Sequence, residues 1–219
     1  MLTYTLVNDV AVLHIDDGKA NAVSHAFIEA VNGGLDRATD EAKAVVIQGR
    51  DGVFSAGFDL KEIQKGAEQA AALAGAGGKL LLRLFQHPQP VVAAAGGHAI
   101  AAGALLLLAA DTRIAADGDY KFGLNETAIG MGLPTFGLQL AAARLSMRHQ
   151  TQAVIQGTLY PPLTATDVGY VDEVVLPEQL EARALEAAVA LAELPATAYA
   201  QNKRDSRRSY IDTIAASLT

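Results

Sequence analysis

Several residue types and patterns that mark whole classes of protein are missing from this sequence of 219 residues. Cysteine is absent, which excludes disulfide bonds, thiolate nucleophiles and cysteine-ligated metal sites together. The five histidines occur at no metal-ligand spacing such as His-Glu-x-x-His, so we expect no metal. Acidic residues outnumber basic ones by 24 to 17, and the net charge of −7 disfavours non-specific binding to nucleic acid or anionic membranes.

Targeting signals are also missing. The first residues lack the basic region and apolar stretch of a secretory signal peptide, so we expect a cytoplasmic protein. Residues 91–110 form an uncharged run of twenty, which is long enough to span a bilayer. That run follows two prolines, is interrupted by Gly96-Gly97-His98 and stops at Asp111, so we interpret it as a buried strand, a tight loop and a buried helix.

Three motifs of common enzyme classes are incomplete. Residues 52–57 have glycines spaced as in a phosphate-binding loop, but Phe58 and Asp59 follow where Lys-Ser/Thr is required. The residue two before Ser55 is Val53 rather than the glycine of a nucleophile elbow. Residues 96–103 do not match G-x-G-x-x-G. Nucleotide phosphate transfer and serine hydrolysis are therefore disfavoured.

The residues that are present predict an α/β protein. A hydrophobic fraction of 51% with only 19% charged residues is typical of a well-buried core, and the length predicts one domain with at most a small appendage. We predict strands at 3–7, 10–15, 44–47, 91–95, 113–115 and 171–175, and helices at 25–39, 59–63, 68–86, 101–110, 134–145 and 149–156. This alternation predicts α/β layers with crossover connections. Residues 49–57 and 96–100 are expected to be loops, and only helices are expected after residue 177.

Two strand-to-helix junctions, residues 54–60 and 97–103, are rich in small side chains. Small residues leave backbone N–H groups approachable, and a helix N-terminus favours an anion. Two converging N–H donors would form an oxyanion hole. The same composition is what tight packing of a strand against a helix requires, so the residues alone leave both interpretations open.

Both junctions resemble signatures of one family. Residues 51–62 resemble the first signature of the enoyl-CoA hydratase/isomerase (crotonase) family, and residues 97–111 align without gaps with its second signature. Four further segments match in the family's order, and together the matches cover roughly residues 1–205: Lys19-Ala20-Asn21-Ala22, residues 122–126, residues 130–134 and residues 169–175.

The resemblance implies a fold and a substrate. It implies a ββα spiral core over residues 1–176 that binds acyl-CoA, and a C-terminal helical oligomerisation region over residues 177–219, shorter than is usual for the family. It also implies a homotrimer or a dimer of trimers. Coenzyme A would be part of the substrate, so no separate cofactor is expected.

Site residues are carried over by position. Ala56 and Ala102 would donate the two oxyanion-hole N–H groups, and Glu126 would be the catalytic acid/base. The substrate path would be lined by Ala20, Ala22, Gly57, Phe58, Asp59, Leu60, Lys61, Gly97, Ala101 and Leu105. Alternatives remain for some residues: Asp59 as a helix cap, Lys61 as a solvated charge, and His98 as a satisfied loop histidine or an assistant to catalysis. Lys61 or the basic run at 203–208 could meet the phosphates of coenzyme A.

The departures from the family pattern bear on the reaction. The family's hydratases use two glutamates, and the first of these positions is occupied here by Leu105, whereas the second is Glu126. Addition of water benefits from two carboxylates, whereas one carboxylate suffices to move a proton within an allylic system. We therefore favour Δ3,Δ2-enoyl-CoA isomerisation. A hydratase is the alternative, and a non-catalytic acyl-CoA-binding protein is the alternative of another class.

Overall fold

The computed structural model describes residues 1–219 and contains nine strands and eight α-helices. The strands are β1 (Leu2–Val7), β2 (Val10–Ile15), β3 (Ala44–Gln48), β4 (Gly52–Ser55), β5 (Val91–Ala95), β6 (Gly97–Ile100), β7 (Thr112–Ala116), β8 (Phe122–Gly123) and β9 (Glu173–Val175). The helices are α1 (His25–Glu41), α2 (Leu60–Ile63), α3 (Ala67–Phe85), α4 (Ala102–Ala109), α5 (Thr135–Arg144), α6 (Pro162–Val168), α7 (Leu180–Ala192) and α8 (Ala196–Ser217). Short 3₁₀ turns at Thr127–Ile129 and Pro177–Gln179 and a π-helical turn at Thr151–Ile155 complete the elements.

The strands form two sheets that the chain visits alternately. The larger sheet has the order β1-β2-β3-β5-β7-β9, and the smaller has the order β4-β6-β8. Every pairing is parallel except that of β1 with β2. From β3 onward the chain repeats one unit: a strand in the large sheet, a strand in the small sheet, and then one or more helices. This repeat confirms the expected ββα spiral.

The loops expected at residues 49–57 and 96–100 were wrong in part, because β4 and β6 lie within them. These strands approach each other too closely for side chains: a Cβ added to Gly97 would lie 1.9 Å from the carbonyl carbon of Gly52. Glycine weakens the local strand signal, and the pairing of β4 with β6 joins segments about 45 residues apart. No local pattern could therefore reveal the small sheet.

The glycines of the third helix have a packing role. Helix α3 runs without interruption from Ala67 to Phe85, although three glycines in its sequence weaken the helical signal. A Cβ on Gly77 would lie 2.3 Å from the ring of Phe58, and one on Gly78 would lie 2.7 Å from Phe136. The glycines thus admit two aromatic rings against the helix, and one of these rings belongs to a site segment.

The core fills both faces of the larger sheet. On one face, a large apolar cluster joins the sheet to helices α1, α3, α4 and α5, and all eight residues of α4 are buried. On the other face, Ala184 and Ala188 of α7 pack on Val46 and Val92. Residues 91–110 form two strands and α4. None of the helices is both long enough and apolar enough to cross a membrane.

A buried ion cluster attaches α8 to the core. Asp111, which follows α4, lies with one carboxylate oxygen 2.5 Å from Lys203 Nζ and with the other 2.9 Å from Arg207 Nη2. Lys203 also donates to the carbonyl oxygens of His87 and Gln89 at 2.7 and 2.9 Å. These two cations of the basic run are therefore engaged inside the protein, and the expectation that they meet phosphates of a ligand is wrong for them.

This cluster generates a stability prediction. We expect Asp111→Asn to lower the free energy of unfolding by about 3–5 kcal/mol, because it leaves two buried cations without their counter-charge. Urea denaturation measures the loss. The matched control is Asp205→Asn, which removes a carboxylate whose partner Arg208 is 67% exposed, and it should change the free energy by less than about 1 kcal/mol. Equal effects of the two substitutions would contradict the role of the cluster.

Candidate active site

The first of the two backbone donors is Phe58 rather than Ala56. The N–H of Ala56 donates to the carbonyl oxygen of Ala20 at 3.0 Å, so it is already used within the fold. The N–H of Phe58 has no acceptor within the chain. Between these residues Gly57 adopts a φ of 99°, a conformation that other residues avoid. That turn directs the amide of Phe58 away from the one of Ala56.

The segment that precedes α1 lies alongside this donor. Val23 donates to the carbonyl oxygen of Gly57 at 2.8 Å and accepts from the N–H of Asp59 at 3.2 Å. Ala20 and Ala22 are therefore held beside residues 56–59, as the resemblance implies. The two flanking hydrogen bonds leave the Phe58 amide between them free to face the other side of the segment.

The second free N–H belongs to Ala102, the other residue that the resemblance selects. It is the first residue of α4, where an N–H has no intrahelical acceptor, and its N–H has no other acceptor within the chain. Ala101 before it adopts a φ of 53° and a ψ of −123°, which is unfavourable for a residue with a Cβ and is a form of strain found at functional sites. Gly57, which directly precedes the first donor, also lies close to the second, because a Cβ built on it would be 3.5 Å from the nitrogen of Ala102.

Two buried polar residues that the sequence reasoning missed hold the first donor segment. Asn21 is fully buried and donates to the carbonyl oxygens of Ile15 and Phe54 at 2.9 and 3.2 Å. Ser55 Oγ donates to the carbonyl oxygen of Asn21 at 2.8 Å. Asn21 also has a φ of 47°, which asparagine tolerates better than most residues. An asparagine between two alanines in a matched segment was the signal available in the sequence.

Glu126 carries a buried carboxylate and lies three residues after Gly123, whose carbonyl oxygen accepts from the N–H of Ala101 at 2.9 Å. It follows β8 and immediately precedes the 3₁₀ turn, and only 8% of the residue is exposed. Its Oε2 atom is buried without a hydrogen-bond partner. Burial raises the pKa of the Glu126 carboxyl above its ordinary value, because the apolar surroundings disfavour the charged form. A partly desolvated carboxylate with a free oxygen is suited to accept a proton from a bound molecule.

Leu105 lies on α4. Its apolar side chain faces α5 and the segment that connects Glu126 to α5. It is buried, and its Cδ1 atom lies 3.5 Å from the position of a Cβ built on Gly137. Leu133 approaches the same point at 3.0 Å. The site therefore has one carboxylate, with leucines around the position at which a second carboxylate would stand.

The remaining predicted residues have mixed outcomes. Asp59 Oδ1 accepts from the N–H of Lys61 at 2.9 Å and caps α2. Leu60 and Lys61 are exposed beside the donor segment. Gly97 lies at the opposite end of β6 from Ala102, where it packs on Gly52, so the structure does not bring it to the donors. His98 Nδ1 accepts from the N–H of Lys121 at 3.0 Å, which is the arrangement of a satisfied histidine.

Apolar groups pack around both donor residues. A narrow gap there, too small to hold a water molecule, is lined by Val23, Phe58, Gly77, Leu80, Leu81, Ala102 and Leu106.

Known proteins resemble the whole of this arrangement. The model of the enoyl-CoA hydratase/isomerase family matches residues 5–219. Human mitochondrial enoyl-CoA delta isomerase 1 is 34% identical over 183 residues, which are 81% of this chain and 61% of the human protein, so the chain spans less than two thirds of that relative. A probable enoyl-CoA hydratase of Bacillus subtilis is 35% identical over 188 residues, 84% of this chain and 71% of its own length.

A solved structure agrees with these relatives. The enoyl-CoA hydratase/isomerase family protein from Pseudomonas syringae superposes with a TM-score of 0.97 at 37% identity, and the match covers 99% of this chain and 94% of that one. The signatures and the spiral thus agree with the family match, which covers nearly the full length of the chain. The chain belongs to the enoyl-CoA hydratase/isomerase family.

Proposed function

We propose that this protein isomerises Δ3-enoyl-CoA thioesters to their conjugated Δ2 isomers. The thioester oxygen accepts hydrogen bonds from the amides of Phe58 and Ala102. Glu126 removes a proton from C2, the electron pair of that bond delocalises onto the thioester oxygen, and the same carboxyl returns the proton to C4 as the double bond moves. No atom is gained or lost in this sequence, so no co-reactant is needed.

The observation that carries the proposal is that the candidate site has a single buried carboxylate. Glu126 has a free oxygen and a raised pKa, whereas Leu105 occupies the position of the family's other glutamate. A proton taken from one carbon and delivered to another requires a single group that alternates between base and acid. Activation of water for addition benefits from a second carboxylate, which the apolar surroundings of Leu105 do not provide.

Hydration of Δ2-enoyl-CoA is the second candidate. The name of the Bacillus subtilis relative favours it, and Glu126 stands at a glutamate position that hydratases of the family also use. The two reactions are separated by incubation with a Δ3-enoyl-CoA and with a Δ2-enoyl-CoA while the absorbance of the conjugated thioester is followed. It rises during isomerisation and falls during hydration, whereas binding without turnover leaves it constant.

We further propose that the coenzyme lies across the surface formed by Ala20, Ala22 and α2. Lys61 is exposed there and forms no ion pair within the chain, so its ammonium group is available to a phosphate. The trimer or dimer of trimers also stays a prediction. It is supported by strongly exposed apolar side chains in the second half of the chain, namely Met147, Leu163 and Ile155 at 89%, 66% and 65%.

The oxyanion hole can be tested by removal of one donor. We expect Ala102→Pro to lower kcat by ~10²–10³, because proline at the first position of a helix deletes the N–H while it keeps the helical φ. The matched control is Ala196→Pro at the first position of α8, which should keep full activity. Circular dichroism checks that both variants are folded. Unchanged turnover of a folded Ala102→Pro protein would refute the assignment of this amide.

The role of Glu126 is tested by Glu126→Gln. The amide has the same shape but accepts no proton, so isomerisation should fall by at least ~10²–10⁴ while the Kd for an acyl-CoA changes little. Because burial raises the pKa of Glu126, the wild-type kcat/KM should decline on the acidic side at a pH above the ordinary glutamate value. A pH profile that is flat down to pH 4, together with full activity of the variant, would show that the base lies elsewhere.

The choice between the two reactions is tested by Leu105→Glu. This change restores the second carboxylate of the family's hydratases, and we expect measurable addition of water to crotonyl-CoA that the wild type lacks. It places a charge in a buried apolar position, so a loss of stability is also expected. Leu105→Gln is the control for size and polarity without charge. Efficient hydration by the wild-type protein would contradict the preference for isomerisation.

A further inference from the structure

Buried polar atoms without partners concentrate around Glu126. Nine buried side-chain nitrogen or oxygen atoms in the protein have no hydrogen-bond partner. Five of them belong to residues on segments near the base: Asn125, Glu126, His149, Tyr160 and Tyr170. Such groups are uncommon in native proteins because each loses its hydrogen bonds to water. Their concentration at one place indicates a functional arrangement.

The segments that carry these atoms are in contact. Phe122, four residues before Glu126, exchanges two backbone hydrogen bonds of 2.9 Å with Tyr160. Thr127, the residue after Glu126, donates its hydroxyl to the carbonyl oxygen of Val154 at 3.4 Å. The ring of Tyr170 lies 6.1 Å from that of Tyr160, centroid to centroid. The two tyrosines therefore lie beneath the segment that leads into Glu126.

Tyr170 is held rigidly in this position. It is completely buried and its backbone is fixed on both sides by one buried residue, Arg113. The guanidinium group donates to the carbonyl oxygen of Gly169 and, at 2.9 Å, to the carboxylate of Asp172. The backbones of Arg113 and Asp172 are joined as well, at 2.8 Å. A phenol anchored in this way is preorganised for one partner.

The chemistry of Tyr170 complements that of Glu126. Burial raises the pKa of the Tyr170 phenol; the nearby backbone of Leu124 opposes this rise, and the charges of Tyr160 and then of Glu126 add to it. The hydroxyl therefore stays protonated and available as a donor. An ionised carboxylate only accepts hydrogen bonds, and Glu126 has one buried oxygen without a donor. Another titratable side chain packed here is Tyr160, and burial raises the pKa of its phenol.

We propose that Tyr170 is a positioning residue, which donates a hydrogen bond through one bridging water molecule to the free oxygen of the ionised Glu126 carboxylate. The inference rests on the proposed role of Glu126 as the base. The hydrogen bond orients the carboxylate and stabilises its charged form, and it weakens when the carboxyl takes up the substrate proton. The family motif around residues 169–175 thereby acquires a role in the site as well as in the fold.

The test is Tyr170→Phe, which removes only the hydroxyl. Without this donor the ionised carboxylate is less stable, so we expect the acidic limb of kcat/KM to move by ~1 pH unit to higher pH, equivalent to a tenfold change in the ionisation equilibrium. Tyr160→Phe is the matched control, another buried ring without its hydroxyl, and it should leave the limb in place. A residue that only supports the fold would alter stability and leave the pH profile unchanged.

A second measurement is independent of turnover. In protein labelled with ¹³C at the glutamate carboxyl carbon, the Glu126 resonance, assigned by its absence in Glu126→Gln, should titrate at higher pH in Tyr170→Phe than in the wild type. In the wild type the Tyr170 ring resonances should also follow that titration, a test that needs no Tyr170 variant. Absence of both effects would overturn the inference. A shifted carboxyl titration in a protein without isomerase activity would refute the proposed function and leave the pairing intact.

Discussion

The close contact between the backbones of β4 and β6 is the constraint on which the site depends. At the start of the pair, a Cβ on Gly97 would overlap Gly52, and at its end a Cβ on Gly103 would lie 2.1 Å from the carbonyl oxygen of Ser55. Only glycine permits this separation. Because the strands are so close, the segments that follow them also lie close together. These segments are residues 56–58 and 101–102, and they carry the free amides of Phe58 and Ala102.

The site contains features that are unfavourable in isolation. Ala101 adopts a conformation that costs on the order of 1–3 kcal/mol for a residue with a Cβ, and Glu126 has a buried oxygen without a partner. Such features persist only when the surrounding structure determines them. Here the surroundings are the fully buried α4, the hydrogen bonds of Asn21 and the ion cluster at Asp111. The stability of these regions offsets the strain at Ala101 and the cost of burying the free oxygen of Glu126.

Much of this protein was predictable from its sequence. The β1–β2 hairpin, the strands of the large sheet and the principal helices were expected within a few residues, because their apolar patterns are local and continuous. The family resemblance singled out Ala102, Glu126 and Leu105, since each lies in a matched segment. In α3 the prediction was correct although glycines weakened it, because leucines at helical spacing still form one face.

Other features were decided only by tertiary structure. Hydrogen bonds between distant segments determine which amide is free. The N–H of Ala56 donates to Ala20, whereas the N–H of Phe58 has no acceptor in the chain. No property of a short motif distinguishes these two residues. From the sequence, the basic run at 203–208 is typical of a solvated helix face. In the structure, the side chains of Lys203 and Arg207 point into the protein because α8 packs across Asp111. The sequence by itself determined the fold class, the family and the single carboxylate, because these follow from residue identity and order. The small sheet, the free amides of Phe58 and Ala102, and the neighbourhood of Tyr170 and Glu126 depend on contacts between residues far apart in the chain. Only the folded backbone establishes those contacts.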